Sequence, residues 1–321
     1  MRSIKRGVAV ALGFSVALLA INPVAAVASS GKKSTECTEP TQETMAGLSE
    51  AMHDEAFAYA QYLAFGAVAS PKGQTSLSKL YQRTAEVELQ GHFSTLASLA
   101  CLVGTTAENL TSAIEGEDYE TTDMYVRFAQ EAYADGDIEA GDLFSEIGED
   151  EATHRDMFAQ ALTSLSGHPA GHKSAVPVAP APDAVPILAG DGSGLSPRTL
   201  ENLSTAMHGE AFAYASYMLY ADQAQRSGLP AIAKLFRATA QIELEEHFRE
   251  LANLAGMVSD NATNLQVAID GEVHDSTVMY PRLAMSAIAA GDYTVASALL
   301  KIRDDEATHV VAFTAELAKL R

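Results

Sequence analysis

Residues 45–164 overlay residues 200–319 at a constant shift of 155, without a gap, and about 50 of roughly 120 positions are identical. No other feature restricts the fold so tightly, because whatever one copy becomes, the other must become too, loops included. "LSEAMHDEAFAYAQY" (48–62) meets "LSTAMHGEAFAYASY" (203–217), and "EDEATH" (149–154) meets "DDEATH" (304–309). A chain of 321 residues has room for two such domains, each with its own core.

Apolar residues recur at helical spacing within each copy. The first helix is expected over about 42–69 and 197–227, with Ser196 as N-cap and Pro197 in the first turn. The second covers about 75–103 and 230–258, the third about 113–135 and 268–290, the fourth about 137–165 and 292–319. Short turns join first to second and third to fourth, and a longer passage serves as the crossover between second and third. The prediction is an all-α chain of two tandem four-helix bundles, over 42–165 and 197–321.

Between the copies, residues 166–196 are rich in Pro, Ala and Gly, which predicts an extended, semi-rigid linker without a core of its own. Its His168 and His172 are expected to be solvated. At the other end, Arg2, Lys5 and Arg6 precede the apolar run "GVAVALGFSVALLA" and small residues at Ala26 and Ala28. This has the pattern of a signal peptide over 1–28, which would export the chain to the periplasm, the cell surface or the medium; an uncleaved anchor is the alternative. A tail over 29–41 follows. Cys37 and Cys101 are the two cysteines. The tail before the first helix should approach the end of the second, and both counterparts are glycines, Gly192 and Gly256, so a disulfide is expected over free thiols.

The formal charge of −21, from 42 acidic against 21 basic residues, argues against nucleic acid and anionic membrane surfaces as partners. Where the acids lie says more. Glu55 and Glu210 sit in apolar runs in the middle of the first helices. The second helices carry Glu88 with His92 and Glu243 with His247, each four apart. The third carry Glu117 with Glu120 and Glu272 with Asp275, and the fourth Glu151 with His154 and Glu306 with His309. Unpaired carboxylates converging in a bundle core are costly and repel one another. Divalent cations remove both costs, and mixed oxygen and nitrogen ligands suit iron or manganese.

With these motifs, and with "ENLTSAIEGEDYETTDMYVRFA" (108–129) and "NLQVAIDGEVHDSTVMYPRLA" (264–284), the chain resembles the ferritin-like di-iron carboxylate proteins, specifically the rubrerythrin family. The resemblance implies two ferritin-like bundles packed as an internal pseudo-dimer, with further oligomerisation open. It implies one di-metal shell per copy: Glu55, Glu88, His92, Glu117, Glu120, Glu151 and His154 in the first, and Glu210, Glu243, His247, Glu272, Asp275, Glu306 and His309 in the second. Glu88 and Glu151 would bridge, and Glu120 would exchange with His92 as ligand on redox change. Tyr62, Tyr125, Tyr217 and Tyr280 stand where the family hydrogen-bonds tyrosines to ligand carboxylates, although simple core packing suits them equally.

Three departures stand out. The family usually spaces the pair on the second helix as Glu-x-x-His, whereas here it is Glu-x-x-x-His. Asp275 is shorter than Glu, and no Cys-x-x-Cys pair occurs in these residues to supply the family's rubredoxin-like domain. His274 could ligate beside Asp275; His53 and His208 should lie on the opposite face from the ligands, and Met52 and Met207 in the core. The resemblance implies an oxidoreductase with two di-iron centres, reducing peroxide or dioxygen with electrons from another molecule, and the leader pattern of residues 1–28 adds export. The alternatives are a ferroxidase or iron-holding protein with Fe(II) as substrate, and a structural module with relic sites.

Overall fold

The computed structural model describes residues 37–71, 73–165, 175–190 and 194–320, so the expected signal peptide, His168, His172 and Gly192 lie outside the described residues. Eight long helices carry the chain, with no strand among the described residues. Helix α1 is Gln42–Ala69, and α2 spans 75–99 with a π-helical turn at Val87–Phe93. Helix α3 spans 106–135 with a π turn at Glu120–Met124, and α4 is Ile138–Leu165. The second copy repeats them as α5 (Pro197–Arg226), α6 (230–254, π turn Glu243–His247), α7 (261–290, π turn Asp275–Met279) and α8 (Tyr293–Leu320). No helix among the described residues is long and apolar enough to cross a membrane.

The third helix of each copy starts about seven residues before its sequence-predicted position. Thr105 accepts from the Glu108 N–H while Glu108 accepts from the Thr105 N–H, a reciprocal cap that opens α3 at Thr106. In the second copy the Asp260 carboxylate caps α7. Only residues 100–105 and 255–260 are then left between the second and third helices. Six extended residues reach about 20 Å, while α2 is about 38 Å long. A crossover back along the same bundle is out of reach.

The chain solves this by exchange. Helices α1 and α2 pack with α7 and α8 of the other copy, and α5 and α6 pack with α3 and α4. There are two four-helix bundles, as expected, but each takes one hairpin from each copy. Tyr62 and Tyr81 pack on Phe313 in one core, and Tyr217 and Phe236 pack on Phe158 in the other. Caps cross over as well. The Thr41 N–H and hydroxyl donate to Asp292, and the Ser196 N–H donates to Asp137 at 2.9 Å. Helices α1 and α5 form the seam. His53 stacks on Phe212 and Phe57 on His208, both at 4.0 Å, a reciprocal pairing across a pseudo-twofold axis. Each histidine donates Nδ1–H to its own helix, to Ser49 or Ser204. Burial lowers both pKa values, that of His208 to about 4. Met52 and Met207 are core residues.

Residues 175–190 form neither helix nor strand and are docked on the second copy. The N–H groups of Val185 and Gly190 donate to the carbonyls of Glu245 and Val258, both at 2.9 Å, and Leu188 N–H donates to Asn253. Arg249 and Asn253 return donors to the Val185 and Pro186 carbonyls. An irregular segment without a sheet needs such partners for its backbone, and α6 with the turn after it provides them.

Cys37 and Cys101 are disulfide-bonded, with Cα atoms 5.9 Å apart, tying the tail to the end of α2. Cys101 holds a left-handed φ of 53°, where the second copy has Gly256 at 62°. Replacing both cysteines by Ser is expected to lower unfolding free energy by about 2–4 kcal/mol in chemical denaturation, with metal content unchanged.

Candidate metal centres

The exchange of hairpins decides which acids meet. Glu55, Glu88, His92 and Glu306 form one group in which one ligand atom from every residue lies within 4.8 Å of the others, and Glu88, Glu272, Glu306 and His309 form a second. Glu88 and Glu306 belong to both, so these groups are the two halves of one centre, centre I. Centre II is built the same way from Glu151, Glu210, Glu243 and His247 with Glu117, Glu151, Glu243 and His154, and Glu151 and Glu243 are shared. All twelve residues are buried.

The shell of one copy is therefore not a unit in space. Glu88 and Glu151, the expected bridging pair, are shared residues of different centres, each opposite a glutamate of the other copy. His92 likewise cannot exchange with Glu120. It lies in centre I with α7, whereas Glu120 faces Glu210, Glu151, Glu243 and His247 at centre II. Neither Glu120 nor Asp275 belongs to the tight clusters; both flank them. His274 is exposed, with Nδ1 3.0 Å from Asp275, and does not reach the cluster.

Within the centres imidazoles and carboxylates crowd together, and only some of the contacts are hydrogen bonds, such as His309 Nδ1 with Glu306 and His154 Nδ1 with Glu151. His92 Nδ1 lies 2.8 Å from Glu88 and 3.0 Å from Glu306, and His309 Nδ1 lies 3.1 and 2.9 Å from the same pair. Yet both Glu88 oxygens, both Glu243 oxygens, and one oxygen each of Glu117, Glu151, Glu210 and Glu272 have no hydrogen-bond partner. Buried polar atoms left this way are costly. Their convergence with imidazole nitrogens is the donor set of a divalent cation pair, so the residues fit such ions. Burial pushes Glu88 up to about 7 and Glu210 up to about 8, and pushes Glu117 and Glu306 well up, with neighbouring carboxylates adding to the latter two. For His154 and His309 burial works against the cation but the facing carboxylates outweigh it, raising them to about 10 and about 12. A metal-free core keeps extra protons as a substitute for cations.

The outer layer crosses copies too. Tyr62 donates to Glu272 at 2.5 Å, Tyr217 donates to Glu117 at 2.6 Å, Tyr125 donates to Glu210 and Tyr280 to Glu55. Each hydroxyl fixes a carboxylate that belongs to one half of a centre only, so these tyrosines are more than packing. Sequence reasoning passed over Asp150 and Asp305. Asp305 lies 3.6 Å from His92 Nε2 and Asp150 lies 3.5 Å from His247 Nε2, on the ring edge away from the cluster. Their signal was the acid before "EATH" in both copies. Also unread were the four π turns, each of which carries Glu88 with His92, Glu120, Glu243 with His247, or Asp275. A π turn inside a helix is a frequent mark of a functional site.

Fold and site together define a four-helix carboxylate-bridged di-metal protein. The family model for rubrerythrin matches residues 47–162 and 201–317, one match per copy, and the chain belongs to the rubrerythrin family. It is 32% identical to rubrerythrin of Porphyromonas gingivalis over 148 residues, covering 42% of this chain and 74% of that one. It is 29% identical to a putative rubrerythrin of Methanocaldococcus jannaschii, covering 39% and 71%, and 31% identical to nigerythrin of Nitratidesulfovibrio vulgaris, covering 36% and 64%. No solved structure matches. Membership makes this an iron-binding protein of oxidoreductase type.

Proposed function

We propose that the chain is an exported oxidoreductase that reduces peroxide, or dioxygen, at two di-iron centres with electrons from an external donor. The observation that supports this best is the pair of shared carboxylates in each centre, which suits two ions held side by side. Such a pair supplies the two electrons that cleavage of a peroxide O–O bond takes, with two protons, to give two waters. The chain's residues prepare the place. Glu88 with Glu306, and Glu151 with Glu243, span the two positions, and the histidines complete them. The four tyrosines hold the remaining carboxylates, and Asp305 and Asp150 orient His92 and His247. Burial keeps bulk water from the centres. Export rests on residues 1–28.

A ferroxidase is the second reading, and the acidic balance favours it, because an anionic surface draws Fe(II) inward. Iron-loaded protein given hydrogen peroxide and an artificial reductant should consume peroxide over many turnovers. Oxidation of Fe(II) well beyond two ions per centre, with no reductant-dependent peroxide loss, would replace the first reading by the second.

A further inference from the structure

The two centres differ at one flank, where two of the sequence differences face one another. At the 155-residue offset, Glu120 corresponds to Asp275, and Gly209 corresponds to Asp54. These positions come together because the copies exchange hairpins. A Cβ on Gly209 would lie 3.3 Å from Glu120 Oε1, tighter than ordinary contact, so the bare backbone of α5 makes room for the long arm reaching over from α3. Glycine inside a helix is otherwise unfavourable by about 1 kcal/mol relative to alanine, and nothing else lies within 4 Å of that direction. At centre I the corresponding position of α1 is Asp54, which does carry a side chain, and its acidic neighbours are Asp275, Glu55, Glu272 and Glu50. The arm from α7 is correspondingly one methylene shorter. The cations nearby pair with its neighbours, His274 with Asp275 and Arg282 with Glu50.

We propose that Asp54 is an additional carboxylate of centre I, sharing with Asp275 the place that Glu120 fills alone over Gly209, so that centre I binds cations more tightly and fills first. Asp275 is then not a weakened Glu120 but half of a compensated exchange. Cluster and flank together, centre I gathers Asp54, Glu55, Glu88, Glu272, Asp275 and Glu306, whereas centre II gathers Glu117, Glu120, Glu151, Glu210 and Glu243. One more carboxylate beside a pair of dications should tighten binding about tenfold or more. This inference rests on the reading of both clusters as metal centres.

The test is a titration of the full-length metal-free protein with Mn(II), following free ion by electron paramagnetic resonance. The expected result is about four ions per chain in two classes of equal size. Glu306→Ala should remove the tight class and Glu151→Ala the weak one. Asp54→Asn, nearly isosteric, should bring the tight class down to the weak one with the total unchanged. The reverse exchange, Gly209→Asp with Glu120→Asp, should raise the weak class toward the tight one, which no general loss of folding would do. Four ions of one affinity in the wild type, or a tight class unmoved by Asp54→Asn, would overturn the role of Asp54 and leave the metal centres standing. A chain that binds no Mn(II) or Fe(II) would overturn the metal centres and the inference with them.

Discussion

Replacing Glu88 and Glu306 by Ala is expected to remove about half of the bound iron, while replacing Glu88 and Glu151 by Ala removes nearly all of it. Both double variants delete two bridging carboxylates, so chemistry alone would not separate them. Geometry does. Glu88 and Glu306 face one another in centre I, although they stand 218 positions apart in sequence, whereas Glu88 and Glu151 of one copy serve different centres. Bridging carboxylates carry both ions, so losing one disables its whole centre. Elemental analysis after anaerobic reconstitution reads the outcome directly. If each copy held its own centre, the two results would be interchanged: Glu88→Ala with Glu151→Ala would spare half of the iron, and the pair Glu88→Ala with Glu306→Ala would strip both sites.

A second large effect concerns the protein without metal. Its stability should fall as pH rises from about 5 to 8, and its melting temperature should drop by on the order of 10 °C. Glu88 is raised to about 7 and Glu210 to about 8, principally by burial, and the ordinary value for both is 4.5. The folded chain therefore keeps protons that the unfolded chain releases. Their contribution is complete below about 4.5 and is lost as pH climbs through the folded values. His154 and His309, raised to about 10 and 12 from 6.5, act in the same direction from neutral pH upward. Glu151 runs oppositely, because His247 and His154 outweigh its burial and depress it, but its contribution disappears only below about 4.5. The loaded protein should show the reverse trend, since protons compete with cations for the same oxygens. Thermal melts of both forms across this range check the sign, and parallel curves would mean that the buried acids are not what the cations discharge.

Much of this was legible in the sequence. A glutamate in the middle of an apolar helical run has few innocent explanations, and the gap-free repeat doubled each observation. Every predicted ligand except Glu120 and Asp275 falls in one of the two clusters. Their partition between centres was not legible, and the duplication is the reason: a position that fits Glu151 fits Glu306 as well, so the pattern cannot say whose hairpin completes the bundle. The clue was the link at 100–105, too short for a crossover, but it was hidden by starting α3 too late and missing the Thr105–Glu108 cap. The π turns escaped for another reason. Hydrophobic periodicity averages over a window and does not register one extra residue in a turn. The pair Asp54 and Gly209 carries no signal in the sequence, because only the exchange of hairpins sets α1 against α7 and α5 against α3.

The exchange of hairpins also changes what counts as a domain. By sequence the chain is a tandem repeat, and repeats are commonly thought of as spares, one surviving the loss of the other. Here neither copy owns a complete bundle, a complete core or a complete centre, so the unit of folding is the whole duplicated chain. Cleavage between the copies would leave the halves interlocked, while loss of either copy would leave the other with two hairpins whose inner faces have nothing to cover them. The protein thus has redundancy in its chemistry and none in its architecture. Natural selection can tune the two centres apart from one another only through substitutions that the partner copy answers, as Gly209 answers Glu120.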